Sequence, residues 1–263
     1  MNEVAKLFCQ MIFQGVSQTV VDGALSADEA TTLARIFVAE EFPDAVCAII
    51  YGSAVEGGFG PYSDIDLVIF LPQIAFAETR RLIYQGVPLE LHLFSKETFA
   101  RALEMARISG NYNQALSLAH ATLLFDPVGT GDRVIGAAQR VLERGPSPVP
   151  EHMRSAACCS VTSYIIELAT NPDASERFSI AASLQPLLMA SYLSARGRWV
   201  NSRKWGVRAE PLFAEALTLA IDAAYRNQDV TALIAQATLS LEPWGGLRWS
   251  GTGARLWLAR PGS

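Results

Sequence analysis

The sequence predicts an α+β protein in two parts: a small mixed β-sheet flanked by helices over residues 1–145, then an all-α helical bundle over 151–245, with a tail at 246–263. Three observations predict it. Short apolar runs that end at turn residues occur before residue 145. From residue 151 onward, apolar residues recur at helical spacing. Between the two patterns lies Gly145-Pro146-Ser147-Pro148-Val149-Pro150, whose prolines cannot continue a helix and read as a linker.

Residues 3–21 carry helical spacing through Val4, Leu7, Phe8, Met11 and Ile12. Ser26 with Glu29 three positions on forms a capping box, and its helix runs to about Glu41, before Pro43. Residues 46–51 are short, apolar and stopped by Gly52, so they read as a buried strand. Residues 52–63 read as loop and 64–71 as a second strand. Arg80–Tyr84 and Val87–Phe94 form a hairpin around Gln85-Gly86. A helix over 96–108 follows, with Ser95 as its cap, then a strand at 121–125 and a helix at 132–144. The bundle helices fall at 151–169, 173–196, 209–226 and 229–240, and Trp244-Gly245-Gly246 closes the run. Trp249 and Trp257 lie in the tail, where a dimer contact is one use for them; the sequence leaves the oligomeric state open.

Composition narrows the function classes. The chain has 263 residues, 50% hydrophobic and 18% charged, with a net charge of -5 and a mean hydropathy of +0.21. That is too apolar for a disordered chain, and no apolar run reaches the roughly 18 residues of a spanning helix. No membrane partner is expected. An acidic total also argues against a nucleic-acid partner, which needs a basic face. Residues 1–150 hold 10 Lys and Arg against 17 Asp and Glu, a net -7, whereas 151–263 hold 11 against 9, a net +2. Cys9, Cys47, Cys158 and Cys159 make no CxxC pair and read as reduced thiols. Met1-Asn2-Glu3-Val4 lacks a basic leader, so a cytoplasmic location is expected.

The chemistry concentrates in Tyr51-Gly52-Ser53 and Ser63-Asp64-Ile65-Asp66-Leu67. Residues two apart on a strand share a face, which puts the Asp64 and Asp66 carboxylates together, their Cα atoms about 6.5 Å apart. Ile65, Leu67 and Ile69 then point into a core. Paired carboxylates repel unless a cation lies between them, and a hard divalent ion with oxygen ligands answers that need. Gly52 lets backbone approach a phosphate closely, and Ser53 adds a hydroxyl. On the hairpin, Leu89, Leu91 and Leu93 line one face, and Glu90 and His92 the other. Glu90 therefore faces the side of a neighbouring strand that carries Asp64 and Asp66. His92 reads as a polar-face histidine, with contact to substrate or orientation of a carboxylate as its alternative, and His120 and His152 read as structural.

Gly52-Ser53, a loop containing Gly57, then Ser63-Asp64-Ile65-Asp66 and Leu89-Glu90-Leu91 together resemble the nucleotidyltransferase superfamily that contains DNA polymerase beta. The resemblance covers residues 46–94 and is closest to the aminoglycoside and other small-molecule nucleotidyltransferases, which carry a helical domain after the catalytic one. It implies a nucleotidyltransferase catalytic domain over 1–145 and a helical substrate-binding domain over 151–245. It further implies two Mg2+ ions on Asp64, Asp66 and Glu90, with ATP or another nucleoside triphosphate as co-substrate and a small-molecule acceptor. Glu90 would bind one ion and could serve as general base. Gly52, Ser53 and Ser63 would hold phosphates. Lys204, in Ser202-Arg203-Lys204-Trp205, would neutralise the leaving pyrophosphate.

Many relatives carry an arginine after Gly-Ser, where this chain has Ala54. Phosphate binding then leans on backbone N–H groups and on the basic run Arg196, Arg198, Arg203, Lys204 and Arg208, which otherwise reads as a solvated loop. Two alternatives stand beside this: the same chemistry on a protein acceptor, as in toxin–antitoxin nucleotidyltransferases, and nucleotide binding without turnover.

Overall fold

The computed structural model describes residues 15–22, 25–56, 60, 62–200 and 204–249. The chain divides into two compact units, Met1–Ala106 with Asn113–Arg144, and Arg107–Tyr112 with Gly145–Ser263.

In the first unit, only the end of the helix expected over 3–21 falls on described residues, as α1 (Gln18–Val21). Residues 1–14, and Cys9 with them, lie outside. α2 (Ala27–Glu41) starts as its sequence dictates. Ser26 Oγ accepts from the Glu29 N–H at 3.2 Å, and Glu29 Oε2 accepts from the Ser26 N–H at 2.9 Å. Two donors that the first turn would leave unmet are thereby paired. Ser26→Ala should lower stability by about 1 kcal/mol. A urea midpoint unchanged from wild type would contradict that role for the cap.

The strands are β1 (Cys47–Tyr51), β2 (Ile65–Phe70), β3 (Glu78–Tyr84), β4 (Val87–Phe94) and β5 (Thr122–Phe125), and they lie in the order β3-β4-β2-β1-β5. β2 and β4 run parallel and every other neighbouring pair is antiparallel, so the sheet is mixed, as expected. The hairpin turns at Gln85 and Gly86, both with positive φ (47° and 78°), the geometry of a tight two-residue turn.

One sheet face is apolar throughout. Ala48, Ile50, Ile65, Leu67, Ile69, Leu89, Leu91 and Leu93 join Ala30, Ala34, Phe37 and Val38 of α2 in a single core. The other face is covered only in part. Phe70 and Phe94 pack on Phe99 of α4 (Lys96–Ser109), with ring centroids 5.2 and 5.7 Å apart. That cover sits at the C-terminal ends of β2 and β4. Within β2, Asp66 alone is not fully buried, and it lies near the opposite end of the strand. Among the described residues, this face is polar and partly exposed at Asp66 and Glu90.

Residues 52–63 differ from the expected loop, because α3 (Ser53–Glu56) makes one helical turn there. Ala54 is its anchor, 1% exposed and packed into the core beneath α2. α5 (Gln114–Ser117), a following 3₁₀ turn (Leu118–His120) and α6 (Gly131–Arg144) complete the unit.

Cys47 is fully buried on β1. Burial pushes its thiol up to about 12, helped by the nearby negative charges of Asp126 and Asp132. Since the thiolate is the reactive form, native Cys47 should resist alkylation at pH 8 and react only after unfolding. Peptide mapping with and without denaturant reads this directly; equal labelling in both would contradict it.

The second unit contains α7 (Glu151–Thr170), α8 (Ala174–Ala195), α9 (Lys204–Ala209), α10 (Pro211–Asn227) and α11 (Thr231–Leu241), then a 3₁₀ turn (Glu242–Trp244). Four of these helices match the expected bundle to within about two residues, the usual scatter of helix ends; α9 was not expected. Cys158, Val161 and Leu168 of α7, Leu184 and Leu188 of α8, Phe213 and Leu217 of α10, and Leu233 and Leu241 of α11 form one core. Cys158 lies within it, whereas Cys159 is half-buried. Among the described residues, α8 is one helix long and apolar enough to cross a membrane by length and composition. Its Leu184 and Leu188 face is spent on the bundle core.

Candidate active site

Strand register builds the site. Tyr51 of β1 pairs with Asp66 of β2, Asp66 with Glu90 of β4, and Glu90 with Arg81 of β3. Residues paired directly across strands project to the same face. Tyr51, Asp66, Glu90 and Arg81 therefore form one row across the sheet. Asp64 stands one residue before β2, two from Asp66. Carboxylate oxygens of Asp64, Asp66 and Glu90 lie within 4.8 Å of one another, and all three residues are half-buried. The sequence placed these three residues on one side, and the structure brings them together.

Three carboxylates this close raise each other's energy unless a cation intervenes. Their neighbour Tyr51 registers the field. Burial, first, and then the charges of Asp66, Glu90 and Asp64 hold its phenol protonated far above the ordinary range for tyrosine. Tyr51 is thus a neutral hydroxyl beside an anionic cluster.

Gly52 has a reason the sequence did not reveal. Its φ is 70°, and a Cβ built on it would lie 2.4 Å from Asp66 Oδ2. The bare backbone makes room for the Asp66 carboxylate and takes a left-handed turn from β1 into α3. Ser53 opens α3. Ser63 Oγ accepts from the Gly60 N–H at 2.9 Å, which ties the hydroxyl into the turn before Asp64. Gly57 and Gly58 lie outside the described residues.

One residue at Glu90 was missed. Arg81 Nη2 donates to Glu90 Oε1 at 2.7 Å. The signal was present: a two-residue turn at Gln85-Gly86 sets Arg81 opposite Glu90 by counting outward. His92 shares the face of Glu90, as alternation predicts, but it is buried there. It is 5% exposed, because the sheet is covered at this level. Its Nδ1 lies 3.0 Å from Thr79 Oγ1 and its Nε2 3.5 Å from Glu90 Oε1. Burial lowers its pKa, against the pull of Glu90, so the ring is neutral at neutral pH.

Lys204 begins α9 in the second unit, and its side chain lies outside the described residues. Of the basic run, two members are used within that unit. Arg196 donates to the carbonyls of Tyr192 and Leu239 and stacks over the Tyr192 ring. Arg198 is ion-paired with Glu210.

A family model agrees with this geometry. Residues 34–101 match the family of the nucleotidyltransferase domain. This part of the chain is of the nucleotidyltransferase superfamily. The matched segment contains the whole Asp64, Asp66 and Glu90 cluster. Among solved structures, the chain is similar to a nucleotidyltransferase-like protein from Exiguobacterium sibiricum 255-15, at 11% identity over 81% of this chain and 72% of that one, with a TM-score of 0.44. No curated protein matches the chain.

The nucleotidyltransferase segment supplies hard oxygen donors and no sulfur at the cluster. That donor set suits magnesium or manganese rather than a soft metal.

Proposed function

We propose that the protein is a magnesium-dependent nucleotidyltransferase that moves a nucleoside monophosphate, AMP from ATP, to a hydroxyl of a small molecule. One observation carries the reading: three carboxylates converge within 4.8 Å, inside the segment that matches the nucleotidyltransferase domain. Asp64, Asp66 and Glu90 would hold two metal ions. When bound, such ions stabilise the attacking and leaving oxygens of an in-line displacement.

The chain's own residues then divide the work. Glu90 takes the proton of the acceptor hydroxyl. That oxygen attacks the α-phosphorus, the bond from the α-phosphorus to the bridging oxygen breaks, and pyrophosphate leaves. Ser53 and the backbone at Gly52 would hold the phosphates. Tyr51, held neutral, is a hydroxyl donor at the floor of the site.

The acceptor class follows less directly. The acidic first part, with a net -7 over residues 1–150, favours a cationic acceptor by long-range attraction, and an aminoglycoside-like compound is the class we propose. The test is incubation with labelled ATP, magnesium and a panel of small polyhydroxylated acceptors, some cationic. A labelled small molecule is expected with the wild type and none with Asp64→Asn plus Asp66→Asn. Labelling that survives the double substitution would remove these carboxylates from the mechanism.

A further inference from the structure

We infer that Arg81 is a built-in counter-ion: it holds Glu90 while the carboxylate cluster is without metal and yields that carboxylate to the incoming cation. The inference rests on the nucleotidyltransferase reading and adds a positioning residue to it.

The argument starts from the row across the sheet. Glu90 sits between Asp66 and Arg81 in register, with a like charge on one side and an opposite charge on the other. Arg81 Nη2 meets Oε1 at 2.7 Å, the length of a charge-assisted hydrogen bond. The Arg81 side chain is nevertheless 73% exposed, whereas that of Glu90 is 16% exposed. The carboxylate is therefore fixed in the site, and the guanidinium is free to leave it for water at little cost. β3 is the sheet edge and pairs only with β4, so nothing on its outer side pins Arg81 among the described strands.

The pairing has a second consequence. Arg81 and His92 both approach the same oxygen, Oε1, at 2.7 and 3.5 Å. Arg81 brings a full positive charge on an exposed side chain, while His92 is buried. A unit positive charge beside a divalent ion repels it, and this repulsion outweighs the small rotamer freedom that Arg81 removes from a half-buried glutamate. His92, held by Thr79 at 3.0 Å, remains to orient Glu90 once Arg81 has moved. Residues 52–54, Gly-Ser-Ala, supply no cation of their own, so the guanidinium is a charge the empty cluster can use.

The experiment is Mn2+ titration of the full chain by calorimetry, without nucleotide, alongside melting of the metal-free protein. Arg81→Ala should bind Mn2+ about three- to tenfold more tightly than wild type, the effect of removing one partly screened charge. Arg81→Lys, which keeps the charge, should bind like wild type. In EDTA, Arg81→Ala should melt lower than wild type, and Mn2+ should close the gap. Unchanged or weaker Mn2+ binding by Arg81→Ala would overturn the counter-ion role while leaving the nucleotidyltransferase reading intact. Absence of Mn2+ binding by the wild type, with Asp64→Asn behaving the same, would remove both.

Discussion

Asp64→Asn and Asp66→Asn together should lower nucleotidyl transfer by about three orders of magnitude or more, the scale of losing metal ligation in a two-metal displacement. The accompanying stability change should have the opposite sign. Asparagine keeps the shape of aspartate and removes charge from a cluster whose oxygens lie within 4.8 Å. Relief of that repulsion should leave metal-free Asp64→Asn as stable as wild type, or more stable by about 0.5–1 kcal/mol. Wild type should gain stability from Mg2+ through binding to the folded state, and the double variant should not. Chemical denaturation with Mg2+ and with EDTA measures all four states. A double variant that loses stability and still responds to Mg2+ would mean these carboxylates serve the fold.

The second large effect concerns a residue with no chemistry of its own. Gly52→Ala puts a Cβ 2.4 Å from Asp66 Oδ2 in a backbone held at φ 70°. Either the Asp66 carboxylate moves or the β1–α3 turn opens. A displacement on the order of 1 Å at a reacting centre costs about 10²-fold in rate, so activity should fall by at least that factor. The left-handed conformation adds about 1–2 kcal/mol of strain for a residue with a side chain. Mn2+ affinity should fall with activity. A variant that is destabilised by this amount yet keeps wild-type Mn2+ affinity would show that Asp66 does not depend on the gap at Gly52.

The fold was legible where the sequence repeats a period. Leu89, Leu91 and Leu93 announce β4 and, by alternation, the face of Glu90. Ser26 and Glu29 announce α2. A two-residue turn at Gln85-Gly86 fixes the hairpin. Elements of a single turn have no period to read, which is why α3 passed for loop. The α9 segment, Lys-Trp-Gly-Val-Arg-Ala, is likewise too short to declare itself.

The site was legible in its three acids and opaque in their support. Spacing put Asp64 beside Asp66, but the parallel pairing that sets Asp66 against Glu90 is tertiary. The burial of His92 was not legible because alternation assigns a face and does not say whether that face is covered. Phe70, Phe94 and Phe99 cover it two residues farther along β4. Charge runs are similarly mute about partners. Arg198 finds Glu210, twelve positions away, and is used inside its own unit.

The central claim is transfer of a nucleotidyl group, and the position of the label tests it most directly. ATP labelled at the α-phosphate and ATP labelled at the γ-phosphate are given in parallel to the wild-type protein, with Mg2+ and a metabolite extract. The account predicts that the α-label enters a product and the γ-label leaves as pyrophosphate, in equal amounts. Entry of the γ-label into the product would mean transfer of the terminal phosphoryl group instead, and would contradict the account.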